Sequence, residues 1–147
     1  MRTPTVLFVD DEVAILEGVK RSLWKEPYVV LTASSGAAAL ALLATTEVDV
    51  VVSDQRMPEL SGSELLGRIR DQYPKIVRIM LTGEPSLPTV VRALDVAPLY
   101  RFLNKPLIRD ELTRTLRQAI QMKQLAEESA RLHRGDPVVA RVGNGER

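Results

Sequence analysis

The stretch Val48-Asp-Val-Val-Val-Ser-Asp-Gln-Arg-Met-Pro-Glu-Leu-Ser-Gly62 decides the fold. Its first part, Val48 to Ser53, is a β-branched run of the kind found in strands covered on both faces; a strand with one wet face would alternate apolar and polar residues. The run ends on an acid, Asp54. Pro58 makes a loop of Gln55 to Leu60, and Ser61-Gly-Ser-Glu64 then supplies a capping box for a helix that runs to about Gln72 and is closed by Pro74. A buried strand that feeds a helix through a short loop is half of a parallel crossover unit.

The same alternation continues on both sides. Upstream, Thr5-Val-Leu-Phe-Val9 is a continuous apolar strand ending in Asp10 and Asp11. A helix follows from Val13 to Trp24, with Ile15, Leu16, Val19 and Leu23 recurring at helical steps and Pro27 marking its end. Trp24 is read as a packing residue at the end of this helix. Tyr28 to Ala33 is a second strand, and Ser34 or Ser35 caps a short helix to about Thr45. Downstream, Ile76 to Thr82 is a fourth strand, Ser86 caps a helix to about Asp95, and Pro98 breaks it. Tyr100 to Asn104 is a fifth strand, followed by Lys105-Pro106 and a long helical pattern from about Arg109 to Arg134, with Gly135 and Pro137 as stop signals. Five strands alternating with five helices predict an α/β fold: an open, doubly wound, five-stranded parallel sheet with right-handed crossovers and an extended last helix.

Composition narrows the chemistry. The 147 residues make one domain, and the 45% hydrophobic and 27% charged content is that of a globular protein rather than a disordered one. Twenty basic against nineteen acidic residues leave a net charge of +1, so no global field points to nucleic acid or to an anionic membrane. With no cysteine and a single histidine, disulfides, zinc fingers, thiol nucleophiles and multi-histidine metal sites are excluded. No signal-peptide h-region and no membrane-length apolar run is present, so a soluble, cytoplasmic protein is expected, with no direct nucleic-acid partner and no membrane partner.

In open parallel sheets, chemistry gathers at the carboxyl ends of the strands. Here those ends deliver Asp10 and Asp11, Asp54, Thr82 and Lys105. Taken singly, each has an ordinary reading as a helix cap, a turn or a solvated charge; four strand ends with matched roles do not. Carboxylates brought together repel one another and hold either a proton or a hard cation. Magnesium binds through one or two carboxylates plus phosphate oxygens, and an ammonium with a hydroxyl across the pocket suits the remaining phosphoryl oxygens.

The motifs Phe8-Val-Asp-Asp-Glu12, Val52-Ser-Asp-Gln-Arg-Met-Pro-Glu-Leu-Ser-Gly62, Met80-Leu-Thr-Gly83 and Phe102-Leu-Asn-Lys-Pro106 resemble, in order and spacing, those of the receiver domains of two-component response regulators. The resemblance covers residue 5 to about residue 122. Within the family, Arg78-Ile-Met-Leu-Thr-Gly and Tyr100-Arg-Phe-Leu-Asn-Lys-Pro look most like receivers of regulators with cyclic-di-GMP phosphodiesterase or other enzymatic outputs. It implies a flavodoxin-like (βα)5 fold and a signalling domain rather than an enzyme, apart from self-catalysed phosphotransfer and slow autodephosphorylation. Asp54 would accept a phosphoryl group from a histidine kinase or phosphotransfer protein. Asp10, Asp11, Asp54 and the backbone carbonyl of Arg56 would hold Mg2+, or Mn2+ in its place. Lys105 and Thr82 would contact the phosphoryl group. Thr82 and Phe102 would form the switch, with Tyr100 as a competing aromatic, and Arg56 and Glu84 would tune dephosphorylation from the pocket mouth. The Lys105-Pro106 bond would be cis. Ile108 departs from the family by standing where many relatives have a capping side chain.

Two other functions compete. A haloacid-dehalogenase-like phosphohydrolase also uses an aspartyl phosphate and Mg2+, but its Asp-x-Asp motif would need an aspartate where Glu12 stands. A pseudo-receiver scaffold would lack phosphorylation residues that this chain retains.

The last helix carries two lines. Leu112, Leu116 and Ile120 form a stripe for packing on the sheet, whereas Met122, Leu125 and Leu132 fall on another line. The second line suits either a homodimer through a short coiled coil or a solvated extension. The chain is therefore divided into a receiver domain at 1–122, a helical extension at 123–134 and a flexible tail at 135–147, which is either a natural C-terminus or a linker; an output domain or a downstream protein is the expected partner on the output side. His133 lies far from the aspartates and is given no catalytic role.

Overall fold

Valine, leucine and isoleucine runs form strands here because each can be covered by helices on both faces. The computed structural model describes residues 2–83, 101–133 and 135. Its strands are β1 (Thr5–Val9), β2 (Val29–Ala33), β3 (Val50–Asp54), β4 (Val77–Thr82) and β5 (Arg101–Asn104). Its helices are α1 (Val13–Leu23), α2 (Gly36–Thr45), α3 (Gly62–Gln72) and α4 (Arg109–His133). The helix expected from Ser86 to Asp95 lies outside the described residues, as do Glu84, Tyr100 and the tail from residue 136.

All strand pairs are parallel, in the order β2-β1-β3-β4-β5, which is the doubly wound flavodoxin-like sheet. Val9 pairs with Ala33 and Ser53, Asp54 with Leu81, and Thr82 with Asn104, so the carboxyl ends of the strands lie nearly level. Alternate side chains enter opposite cores. Val6, Phe8, Val50, Val52, Ile79 and Leu81 face one way, against Leu16, Val19 and Leu23 of α1 and Leu112, Leu116 and Ala119 of α4. Leu7, Val9, Val51 and Met80 face the other way, against Ala39 and Leu43 of α2 and Leu65, Leu66 and Ile69 of α3.

The caps follow the sequence. Ser35 rather than Ser34 caps α2, accepting from Ala38 N at 3.0 Å. Ser61 and Glu64 close both bonds of the capping box on α3, at 3.2 and 2.9 Å. No hydroxyl or carboxylate stands at residue 108; Leu112 N bonds Ile108 O at 2.9 Å at the start of α4, and the Ile108 side chain is exposed.

One expectation is overturned. Trp24 is 74% exposed and does not pack; Lys25 Nζ lies 5.2 Å from its ring centroid. The buried stripe of α1 ends at Leu23, and one more residue turns the side chain about 100° round the helix, out of the core. On α4, Leu112 and Leu116 are buried and Ile120 packs against them, while Met122, Leu125 and Leu132 are exposed.

The amino edge of the sheet is closed by an ionic cluster. Asp49, 5% exposed, accepts two bonds from Arg2 (2.6 and 3.0 Å), one from Thr5 N (2.8 Å) and one from Lys123 Nζ (3.0 Å). Lys123 is also buried and bonds Glu127 at 2.9 Å, and Arg2 reaches Glu47 at 3.1 Å. Burial alone would raise the Asp49 pKa, but Arg2, the Thr5 amide and Lys123 together bring it below the ordinary carboxylate value. A lowered folded pKa contributes stability above the unfolded value, about 3.9, and loses it as pH falls through the folded value. Asp49→Asn is therefore expected to cost about 3 kcal/mol in urea unfolding at pH 7, since it breaks a buried pair from one side. That deficit should shrink on acidification below about pH 4. An equal deficit at pH 7 and in strong acid would show that the carboxylate charge is not its source.

Candidate functional site

The level strand ends bring the acidic residues together. Asp10 follows β1, with its main-chain N–H on Ala33 O (3.1 Å) and its Oδ1 accepting from Glu12 N (2.9 Å). Asp54 ends β3. Asp10 and Asp54 are 2% and 5% exposed, whereas Asp11 is exposed, and all three offer carboxylate oxygens within 4.8 Å of one another. Lys105, after β5, places Nζ 3.1 Å from Asp54 Oδ1, 3.2 Å from Asp10 Oδ2 and 3.7 Å from Glu12 Oε1. The contact with Asp10 is electrostatic only, because the buried Oδ2 accepts no well-aligned hydrogen bond. Thr82, buried at the end of β4, receives Lys105 N on its carbonyl at 3.0 Å, and the Lys105-Pro106 peptide that follows is cis.

A cleft of about 340 Å³ opens over this cluster, lined by Asp11, Glu12, Asp54, Gln55, Arg56, Thr82, Gly83 and Lys105. A larger, mainly apolar groove of about 560 Å³ runs beside it between α1 and the start of α4, with Ile15, Gly18 and Leu107 among its lining residues, and shares Lys105 with the cleft.

Burial raises the Asp54 pKa above its ordinary value, and the neighbouring Asp10 adds to the rise; Lys105 and the Gln55 amide pull the other way without winning. Burial alone would lower the Lys105 pKa, but Asp54 and Asp10 raise it instead, so the ammonium stays charged. Among the described residues Lys105 is thus shared by Asp10, Glu12 and Asp54, with Asp11 a further carboxylate in the cluster. An oxygen-only donor set with uncompensated negative charge and an open side fits a hard divalent cation such as Mg2+.

The loop from β3 to α3 is held tightly. A Cβ on Gly62 would land on the Asp54 carbonyl oxygen, so only glycine lets α3 start this close to the strand. A Cβ on Gly36 would meet the Leu60 side chain, with Cδ2 at 2.6 Å, so the loop also packs against the start of α2, by a side chain rather than by its backbone. Between them the chain turns through Glu59 at φ 68°, with Leu60 N bonded to Pro58 O at 2.7 Å. Side-chain strain at that φ is tolerated because the surrounding contacts fix the turn.

Asp11, Asp54, Thr82, Lys105 and Arg56 thus line one cleft, and Asp10, buried, has a carboxylate oxygen within 4.8 Å of those of Asp11 and Asp54. Phe102 does not line it; paired with Met80 on β4, it is half-buried against the core on the α2–α3 side. Glu84 and Tyr100 lie outside the described residues. His133 is remote, its ring bonded to Ser129 O at 2.9 Å. Two lining residues were not anticipated in these places. Glu12, third of the acidic run, comes within 3.7 Å of Lys105, and Gln55 holds Ser63 through its side chain. Position beside a strand-end acid was the only signal for either.

The family model described as the response regulator receiver domain matches residues 6–117. The chain is 39% identical over 128 residues to the hydrogenase transcriptional regulatory protein HoxA of Cupriavidus necator, covering 87% of this chain and 26% of that protein. It is 37% identical over 123 residues to the transcriptional regulatory protein KdpE of Mycobacterium tuberculosis, covering 84% of this chain and 54% of KdpE. The chain thus spans about a quarter to a half of these relatives' lengths. Among solved structures, the signal receiver domain of an HD domain-containing protein from Pseudomonas fluorescens Pf-5 superposes with a TM-score of 0.81 at 40% identity, over 84% of this chain and 98% of that one. Because the family model matches residues 6–117, a stretch that runs through all four strand-end motifs, the chain belongs to the response regulator receiver domain family.

Proposed function

We propose that Asp54 accepts a phosphoryl group from the phosphohistidine of a histidine kinase or phosphotransfer protein, and that the phosphorylated cleft switches the protein contacts of this domain. The observation that carries this reading is the buried Asp54 carboxylate, set within 4.8 Å of Asp10 and Asp11 and 3.1 Å from Lys105 Nζ. An Asp54 oxygen attacks phosphorus as the P–N bond breaks, and the imidazole leaves with the bonding electron pair. Asp10, Asp11 and Asp54, with the Arg56 carbonyl, are the groups that would hold Mg2+ or Mn2+. When bound, such an ion offsets carboxylate charge and that of the incoming phosphoryl oxygens. Lys105 pairs with one of those oxygens, and the Thr82 hydroxyl donates to another once the product has formed.

These two contacts exist only in the phosphorylated state, so they favour the arrangement that makes them. Phe102, on the strand next to Thr82, follows the change as the switch aromatic. Arg56 at the cleft mouth and Glu84, two residues after Thr82, limit the water that hydrolyses the product. The apolar groove beside Lys105 gives a protein donor a surface adjoining the nucleophile. Residues 1–122 act as the receiver, and Met122, Leu125 and Leu132, exposed on α4, present a face for a second copy. Residues 135–147 serve as the linker to an output domain or downstream protein. No helix among the described residues is long and apolar enough to cross a membrane, which suits action in the cytoplasm.

Incubation with Mg2+ and acetyl phosphate should add one phosphoryl mass to the chain, and Asp54→Asn should abolish the gain. Absence of labelling at saturating donor would sink the reading. Asp11→Asn should weaken Mg2+ binding by at least roughly tenfold in a calorimetric titration, since loss of a group that merely supports a ligand already costs that much. The Asp54→Asn variant has a second use. A raised folded pKa means that ionised Asp54 costs stability above that pKa, a cost that disappears below the unfolded value. In chelator, the variant should therefore melt higher than the parent at pH 7, and the advantage should fade towards pH 4. A lower melting temperature at pH 7 would contradict the crowding of charge inferred here.

A further inference from the structure

The main chain just after Asp54 is fastened to the start of α3 by a side chain that plays no part in the chemistry above. Gln55 Oε1 accepts from Ser63 N at 2.8 Å and from Ser63 Oγ at 2.8 Å. The Gln55 main chain is tied as well, its N–H to Leu81 O at 3.1 Å and its carbonyl to Gly62 N at 3.0 Å. With Ser61 Oγ taking the Glu64 amide, the N–H groups of Gly62, Ser63 and Glu64 are all consumed within the protein. The first turn of α3 is therefore closed to an anion, and its donors anchor the loop instead. Ser63 is 5% exposed, so its two donors have little access to water, and an apolar side chain at 55 would leave both without a partner.

We infer that Gln55 is a positioning residue: by locking residue 55 to Ser63 it fixes where the next carbonyl, that of Arg56, stands over the acidic cleft, and so sets the affinity for the divalent cation. The inference rests on the proposed reading of the cleft, in which that carbonyl completes the ligand set. Gln55 acts through the peptide that follows it and need not touch the ion. Such supporting bonds matter to a cation that tolerates little distortion of its octahedron.

The test uses the full chain. Mg2+ binding is measured by calorimetry without a phosphodonor, and labelling by acetyl phosphate is followed over a series of Mg2+ concentrations. Gln55→Met should bind Mg2+ about tenfold more weakly, the lower end of what loss of a supporting partner does. Its labelling rate should return to the parent's at saturating Mg2+. Gln55→Glu keeps an acceptor for both Ser63 donors and should bind no more weakly than the parent. Ser63→Ala removes the hydroxyl but keeps the amide, and should fall between the parent and Gln55→Met. If Gln55→Met loses the parent's thermal transition, Ser63→Ala against Gln55→Glu decides the same point. Parental Mg2+ affinity in Gln55→Met would overturn the inference. So would labelling depressed equally at every Mg2+ concentration, or a Gln55→Glu protein as weak as Gln55→Met. A parent chain that neither binds Mg2+ nor accepts phosphate would instead overturn the reading of the cleft, and the inference with it.

Discussion

The crowding of Asp10, Asp11 and Asp54 against a single ammonium is the constraint from which the rest follows. Their oxygens lie within 4.8 Å, two of the three residues are nearly buried, and Lys105 is shared between Asp10 and Asp54. Folding alone cannot relieve this repulsion, because the backbone that produces it is the sheet itself. The register that levels the ends of β1, β3 and β5 also puts the acids together. The domain is thus built with a crowding of negative charge at one edge, of the kind that a hard cation offsets.

The two ends of β3 make the contrast plain. Asp49, just before the strand, and Asp54, its last residue, are equally buried at 5% exposure. Their environments differ in kind. Asp49 accepts from a bidentate arginine, an amide and a lysine, and its pKa falls; Asp54 has a lysine and an amide but also another carboxylate, and its pKa rises. Desolvation is common to both, so the neighbours decide the sign. The amino edge therefore holds an acid whose charge is compensated, while the carboxyl edge holds one whose charge is not.

The frame and the acids were legible from sequence for a local reason. Apolar runs, capping serines and prolines report on their own neighbourhood, and in a parallel sheet each strand end is the point where a run meets an acid, a hydroxyl or an amine. Thr82, Lys105 and the aspartates could be placed on one edge without any knowledge of distances. What escaped notice depends on pairs far apart in the chain or on the angle of one residue round a helix. Gln55 reaches Ser63 only because Gly62 lets α3 start against the strand. Asp49 lies within a valine run, and nothing local named Arg2 and Lys123 as its partners. Trp24 follows a buried leucine by one residue, and that single step carries a large apolar side chain into solvent.

The position of Lys123 also bears on how the last helix leaves the domain. The apolar stripe of α4 ends with Ala119 buried and Ile120 half-buried, and an exposed line begins at Met122. Without a further tie, the helix beyond the stripe would be free to fray or bend. Lys123 is buried instead, bonded to Asp49 before β3 and to Glu127 on the next turn of the helix. The helix is thereby fixed in rotation about its axis at the point where Met122 and Leu125 begin to face solvent. A lysine does this where a leucine would not, because its ammonium demands a particular partner and hence a particular angle, whereas apolar packing tolerates several. The compensated charge at the amino edge thus bears on the direction of the exposed face, whereas the acids at the other edge tie down no such element.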